Sequence, residues 1–218
     1  RTSSAASDVY KRQAPDCRLP EIKPIVLPDK VPTAWTVQEI KMIIESASNL
    51  SDRYAGSTCG IPLKVFFPLL IEVLWITAER IGAVIQTERV DLRGEYLFIQ
   101  AKNRKGRAKH KITRLPADLV DRLQELPANQ MLFPWDRSHH QLWAWMKRII
   151  ERSCAPGGFR CSFHQIRRSS ASHFVAGGGS ASELLGHSDP RIAEEHYIDP
   201  RIAYAERPAA YELLPAIQ

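Results

Sequence analysis

Apolar residues recur every three to four positions along most of the chain, which is the spacing of amphipathic helices. Residues 61–77 are apolar nearly all round and therefore predict a helix buried in the centre of a domain. Thr36 and Ser162 each begin a capping box, completed by Glu39 and Gln165, and Ser138 is predicted to cap a third helix. The predicted helices cover residues 36–48, 61–77, 80–85, 116–126, 138–152, 162–176, 181–185, 190–198 and 201–213.

The middle of the chain changes to short runs that are typical of strands. Residues 89–92, 96–101 and 109–113 are separated by two turn sequences, at 93–95 and 103–106. This pattern predicts a three-stranded antiparallel sheet whose second connection is a basic β-hairpin, with Lys102 at the end of the middle strand. The predicted fold class is therefore mixed α+β and mostly α-helical, with one small sheet.

The composition fits one large globular domain. At 218 residues with 44% hydrophobic content, the chain can bury a sizeable core. Its four cysteines have no metal-ligand or disulfide-framework spacing, which predicts a reducing, cytoplasmic setting. The longest apolar run, residues 65–76, is broken by Pro68 and Glu72 and is too short to cross a bilayer, so no membrane partner is expected. His139 and His140 lack companions at ligand spacing, so no metal site is expected.

The two ends of the chain differ from its middle. Residues 1–13 resemble a translated sequencing adapter, so we expect them to be non-native, and without an initiating methionine we expect the natural protein to extend upstream. Residues 14–32 carry five prolines and are expected to form an extended linker. Residues 33–200 are then the folded domain, and residues 201–218 are a C-terminal helix or tail, for which subunit contact is one candidate role.

The charge is distributed in a way that favours a polyanionic partner. Basic residues exceed acidic ones by 30 to 24, giving a net charge of +6, and residues 96–117 and 152–182 contain no acid at all. A solvated surface normally mixes signs, so single-sign spans favour contact with a phosphate backbone. The expected DNA contacts in these spans are Arg104, Lys105, Arg107, Lys109, Lys111, Arg160 and Arg168.

The last third of the chain holds polar residues among small and apolar ones. His164 and Arg167 are three residues apart and share one helix face, close to a helix N-terminus that suits an anion. His187 follows Leu-Leu-Gly, and Tyr197 follows ten residues later. The alternative is a structural role for each residue, as a satisfied core histidine, a surface arginine or a packed tyrosine.

Arg80 is a further candidate, because it begins a helix between apolar neighbours. A buried arginine needs a partner. The sequence leaves two candidates for that partner, the carboxylate of Glu79 and an external phosphate.

Taken in order, these motifs resemble the tyrosine recombinase (phage integrase) family. The resemblance rests on Thr-Ala-Glu-Arg-Ile-Gly at 77–82, Ala-Lys-Asn-Arg-Lys-Gly-Arg at 101–107, His-x-x-Arg at 164–167 and Leu-Leu-Gly-His-Ser at 184–188, followed by a tyrosine. It covers residues 36–200 and implies the integrase-like catalytic-domain fold, without the N-terminal domain that clamps DNA. It also implies double-stranded DNA as partner and a tetramer on paired sites when full length. The catalytic residues that it implies are Arg80, Lys102, His164, Arg167, His187 and Tyr197.

The activity implied by the resemblance is site-specific cleavage and rejoining of DNA through a covalent 3′-phosphotyrosyl intermediate, with no cofactor, metal or ATP. Arg80 and Arg167 would hold the phosphate, because guanidinium groups are always protonated and can fork onto its oxygens. Lys102 would be the general acid, His164 would help to take the tyrosine proton, and His187 would bond the phosphate.

Three features depart from the family pattern. Ala83 stands where the family has an acid, the glycine segment 177–179 is about two residues shorter, and ten residues rather than nine lead from His187 to Tyr197. Two alternative functions remain open from the sequence. One is a type IB-like topoisomerase, which would relax supercoils as a monomer, and the other is a catalytically decayed DNA-binding module.

Overall fold

A buried helix, Leu63–Thr77, lies at the centre of the structure, and ten of its fifteen residues are buried. The computed structural model describes residues 31–51, 56–104, 109–153, 162–186 and 189–206. The helices in these ranges are α1 Val37–Ser48, α2 Leu63–Thr77, α3 Ile81–Val84, α4 Ala117–Gln124, α5 His139–Arg152, α6 Phe163–Ala176, α7 Ala181–Leu185, α8 Pro190–Tyr197 and α9 Pro200–Ala203. The strands are β1 Ser57–Thr58, β2 Ile61–Pro62, β3 Leu92–Arg93, β4 Tyr96–Ile99 and β5 Lys111–Arg114, with 3₁₀ turns at Arg89–Asp91 and Ala101–Asn103.

The core is built around α2, which packs against α1, α4 and α6. Its aromatic end meets the loop before α5, where the Phe66 ring lies 5.8 Å from Phe133 and 5.4 Å from Trp135, centroid to centroid. Large aromatic side chains bury much apolar area at one point, which fixes the helix strongly. The end of α2 leads directly into Arg80, so this core sets the position of the first candidate residue.

The predicted three-stranded antiparallel sheet is confirmed, in the order β3-β4-β5. Leu97 and Ile99 are buried on one face, while Tyr96 and Ile112 are exposed. The predicted strand at 89–92 is mostly a 3₁₀ turn, because Glu88 and Asp91 cap it reciprocally. Residues 101–103 also form a 3₁₀ turn, so the middle strand ends at Ile99, two residues earlier than predicted, and Lys102 lies on the turn that follows it.

Most predicted helices are confirmed, with two instructive differences at their starts. Helix α2 begins at Leu63 because residues 61–62 pair with β1 in a short hairpin. Thr36 and Ser138 form capping boxes, whereas the side chain of Ser162 makes no capping bond. Gln165, the other half of that predicted box, instead donates to the carbonyl of Thr33.

The segment 33–35 is held against α6 and against Asp199, the residue that caps α9, by hydrogen bonds. The Trp35 N–H donates to Ser169 Oγ at 2.7 Å, and the Ala34 N–H donates to Asp199 Oδ2 at 2.8 Å. The Trp35 carbonyl lies 3.0 Å from His173 Nε2. Helix α6, which carries His164 and Arg167, is therefore fixed from both ends of the described chain.

The mixed, mostly helical fold class with its small sheet is confirmed. Within the described ranges, no helix is long and apolar enough to cross a membrane. The predicted adapter segment, nearly all of the predicted linker and the last twelve residues of the predicted tail lie outside the described residues.

Candidate active site

Four of the six predicted catalytic residues line one cavity of about 490 Å³. Arg80 reaches it from the start of α3, Lys102 from the 3₁₀ turn after β4, and His164 and Arg167 from the first two turns of α6. The rings of Trp143 and Phe163 complete the wall, and their centroids are 5.1 Å apart. The sheet and two helices thus bring basic groups from distant parts of the sequence to one place. His187 lies outside the described residues.

Arg167 is the most deeply buried of these side chains, with 1% exposed. Its guanidinium donates to the carbonyls of Ala78 and Leu185, the latter at 3.0 Å, and lies 3.8 Å from Glu79 Oε2. Its Nε is buried and has no hydrogen-bond partner among the described residues. A buried donor without a partner is costly, which favours an acceptor that the cavity would receive.

Arg80 caps α3 with an extended backbone, at φ −72° and ψ 140°. Its backbone N–H donates to Glu79 Oε2 at 3.3 Å. Arg80 is half-buried as a residue, and its guanidinium makes no hydrogen bond or ion pair with the described residues. The sequence left two candidate partners open for Arg80. Glu79 accepts a hydrogen bond from its backbone N–H but does not pair with its guanidinium, and Arg80 lines the cavity.

His164 and Tyr197 come together across α6 and α8, with ring centroids 5.2 Å apart. Burial, followed by the charges of Arg168, Arg167 and Arg80, lowers the pKa of His164 to about 4. The imidazole is therefore neutral at pH 7 and carries a lone pair that can accept a proton.

Tyr197 is the last residue of α8 and is 7% exposed. Its ring lies 5.4 Å from Arg167 Cζ. The tyrosine that sequence spacing selected is thus beside both the histidine and the arginine of the same chain. Tyr204 follows on the turn after α9 and is half-buried.

Lys102 is less constrained. Its side chain is 64% exposed, and Nζ lies 3.7 Å from Glu88 Oε1. Exposed ion pairs of this kind contribute little. The next residue is better anchored, because Asn103 Nδ2 donates to the Gln86 carbonyl at 2.7 Å.

The residues predicted as DNA contacts separate into three groups. Lys109 is exposed, and Arg168 is half-buried one residue after Arg167. Arg104 and Lys111 turn inward, with 7% and 13% of their side chains exposed. The other three lie outside the described residues: Lys105, Arg107 and Arg160.

Glu79 is the residue whose place the sequence did not predict. Its carboxylate is 1% exposed and lies 2.7 Å from Arg104 Nη2, 3.8 Å from Arg167 Nη1 and 3.9 Å from Lys111 Nζ. Burial lowers the pKa of Lys111 to about 8, although Glu79 acts in the opposite direction. The signal in the sequence was an acid directly before Arg80 in an otherwise apolar stretch. The three cations that gather around it are 25 to 88 residues away and could not be assigned to it from spacing.

The fold is that of the catalytic domains of tyrosine recombinases. The structure of XerA recombinase is similar with a TM-score of 0.61, at 17% identity over 94% of this chain and 74% of XerA. A lambda integrase dimer bound to a COC′ core site gives a TM-score of 0.65, at 16% identity over 99% of this chain and 60% of that one. The catalytic domain of bacteriophage HP1 integrase gives 0.53, at 16% identity over 80% of this chain and 94% of that domain.

At these identities the similarity is one of fold, and it confirms at that level the resemblance found in the motifs. No protein-family model matches the chain, and no curated protein matches it in sequence. The chain spans 74% of the XerA structure and 56% of a XerH recombinase structure, but nearly the whole of the isolated HP1 domain.

Proposed function

We propose that this chain is the catalytic domain of a site-specific tyrosine recombinase, which cleaves and rejoins DNA through Tyr197. The observation that carries the proposal is the convergence of Tyr197 with His164 and Arg167, from α8 and α6, beside a cavity that also receives Arg80. The shared fold with recombinase catalytic domains supports it.

In the proposed reaction, Tyr197 Oη attacks the phosphorus of one phosphodiester and the 5′-oxygen leaves. The products are a 3′-phosphotyrosyl bond and a 5′-hydroxyl, and the reverse attack by a 5′-hydroxyl rejoins the strand. The phosphotyrosyl bond conserves the energy of the broken bond, so the cycle requires neither ATP nor a metal ion. Arg80 and Arg167 would stabilise the charge that develops on the non-bridging oxygens.

His164 is suited to accept the tyrosine proton, because it lies next to the ring and is neutral at pH 7. A bound phosphodiester would offset the arginine charges that help to lower its pKa. The basicity of His164 would therefore rise when the substrate binds, at the moment when the proton must leave. Lys102 would protonate the departing 5′-oxygen, and His187 would bond the phosphate.

Double-stranded DNA is the proposed partner, and recombination between two sites would require four subunits. XerH recombinase has been crystallised with its difH substrate, and lambda integrase as a tetramer on a Holliday junction. The similarity of fold motivates the same partner and assembly for the full-length form of this protein.

The test is a covalent trap with nicked duplexes whose central sequence is randomised, so that no target needs to be known beforehand. The unchanged protein and Tyr204→Phe, the matched control, should give a protein–DNA band that resists denaturant. Tyr197→Phe should give none, because it lacks the attacking oxygen, and peptide mapping of the band should place the DNA on Tyr197.

Linkage through another residue would contradict the assignment of Tyr197. DNA binding without a covalent band across the whole pool would contradict the enzyme and favour a DNA-binding module. Relaxation of supercoiled plasmids that lack the DNA sequence recovered from the covalent band would favour a topoisomerase.

A further inference from the structure

Arg104 directly follows the Lys102 turn, and its side chain points into the protein. Its Nη2 lies 2.7 Å from Glu79 Oε1, and its Nη1 donates to the Lys109 carbonyl at 2.6 Å. Its backbone N–H donates to the Ala101 carbonyl at 3.1 Å and closes the 3₁₀ turn. Arg104 borders the cavity, but both of its terminal nitrogens are engaged within the protein, by Glu79 and by the Lys109 carbonyl, so a phosphate contact is not needed to account for them.

The same guanidinium packs closely on Gly186, the residue that ends α7. A Cβ at this position would lie 2.6 Å from Arg104 Nη2. The guanidinium could not move away without breaking its ion pair with Glu79 and its hydrogen bond to the Lys109 carbonyl. Arg104 thus joins three segments: the junction between α2 and α3, the residues just before β5, and the end of α7.

Lys102, by contrast, owes its position to the backbone of its turn. Its side chain has one exposed ion pair among the described residues, with Glu88. The turn is held on one side by Asn103, which bonds the Gln86 carbonyl after α3, and on the other side by Arg104. Loss of the second anchor would let the ammonium move relative to the cavity while leaving Arg80 and Arg167 on their own elements.

We propose that Arg104 is a positioning residue, which holds the Lys102 turn over the cavity through Glu79 and Gly186 rather than contacting DNA. The role given to Lys102 rests on the proposed function, whereas the anchoring by Arg104 does not.

The first experiment compares two leaving groups in single-turnover cleavage by Arg104→Met. A 5′-bridging phosphorothiolate leaves as a thiolate and needs no general acid. If Arg104 positions Lys102, cleavage of normal DNA should slow about 100-fold, while the loss on the phosphorothiolate should stay below about 5-fold. An equal loss on both substrates would overturn the proposal, because it would mean general damage to the site.

The second experiment measures the salt dependence of DNA binding, with the exposed Lys109→Met as the comparison. The slope of log K against log salt is negative, and removal of one phosphate contact decreases its steepness by about 0.9. Lys109→Met should show this decrease, and Arg104→Met should keep the slope of the unchanged protein. A decrease of about 0.9 in Arg104→Met would identify a phosphate contact and would overturn the proposal.

A pair of glycine variants tests the same contact from its other side. Gly186 and Gly94 both have positive φ, +68° and +55°, so an alanine strains the backbone at either position. A Cβ at Gly94 would meet nothing within 4 Å, so only Gly186→Ala displaces Arg104. Gly186→Ala should reproduce the leaving-group dependence and Gly94→Ala should not. Cleavage of normal DNA by Gly186→Ala at the unchanged rate would overturn the proposal.

Hydrogen exchange separates this proposal from the proposed function, because it needs no DNA. In Arg104→Met the amide of Asn103, which donates to the Gln100 carbonyl, should exchange at least about tenfold faster, while the core amide of Leu70 keeps its rate. If the unchanged protein forms no phosphotyrosyl product, the proposed function fails, and the exchange of Asn103 still decides the anchoring. Unchanged exchange at Asn103 would overturn the proposed anchoring by Arg104.

Discussion

At the scale of single residues, His164 links the site to stability. The ordinary pKa of histidine is near 6.5, and burial with three neighbouring arginines lowers that of His164 to about 4. Between these values the unfolded chain binds more protons at this residue than the folded one, so the free energy of unfolding falls as the pH falls through this window.

Through His164 alone, the free energy of unfolding is expected to fall by up to about 2 kcal/mol between pH 7 and pH 5. His164→Gln removes the titrating group, so its free energy of unfolding should fall by about that much less over the same pH range. Urea denaturation of both proteins at several pH values measures the difference. Parallel curves would show that His164 is not the group whose protonation opposes folding.

At the scale of secondary-structure elements, the helix starts separate local from tertiary control. Thr36 and Ser138 cap their helices with reciprocal bonds to Glu39 and Gln141, because each box is complete within four residues. Ser162 has the same sequence pattern, yet Gln165 turns to the Thr33 carbonyl, 132 residues away in sequence. A local pattern predicts a cap only when no tertiary partner competes for its side chains.

This difference predicts the stability of three matched variants. Thr36→Ala and Ser138→Ala should each lower the free energy of unfolding by about 1 kcal/mol, because each loses a capping bond. Ser162→Ala should change it by less than about 0.5 kcal/mol, since no capping bond is lost. Thermal or urea unfolding checks all three, and an equal loss at Ser162 would show that it caps α6 after all.

At the scale of the whole molecule, the segment 33–35 ties the first described residues to the site helix. Ser169 Oγ accepts the buried Trp35 N–H and donates to the Gln165 carbonyl. Ser169→Ala leaves the Trp35 N–H without a partner, which should lower the free energy of unfolding by about 1–3 kcal/mol. The control is Ser48→Ala, whose exposed hydroxyl bonds the Ile44 carbonyl within its own helix and should change it by less than about 0.5 kcal/mol. Equal effects in urea unfolding would show that this attachment adds no stability.

The secondary-structure elements and the candidate residues follow from the amino-acid sequence alone. Periodicity placed the buried α2 helix, the small sheet and most helix bounds, because these depend on side chains close together in the chain. Motif order selected Arg80, His164, Arg167 and Tyr197, which the structure brings to one place.

Which basic side chains pair with a buried carboxylate became visible in the folded molecule alone. Arg104 and Lys111 belong to the same basic span as Lys109 and are alike in composition, yet they turn inward to Glu79 while Lys109 stays exposed. Spacing cannot separate them, because a buried charge is placed by its partner, and that partner lies on another element. The same reason leaves the partner of Arg80 open in the sequence, because the side chains that surround the Glu79 carboxylate are those of Arg104, Lys111 and Arg167, which lie far from it along the chain.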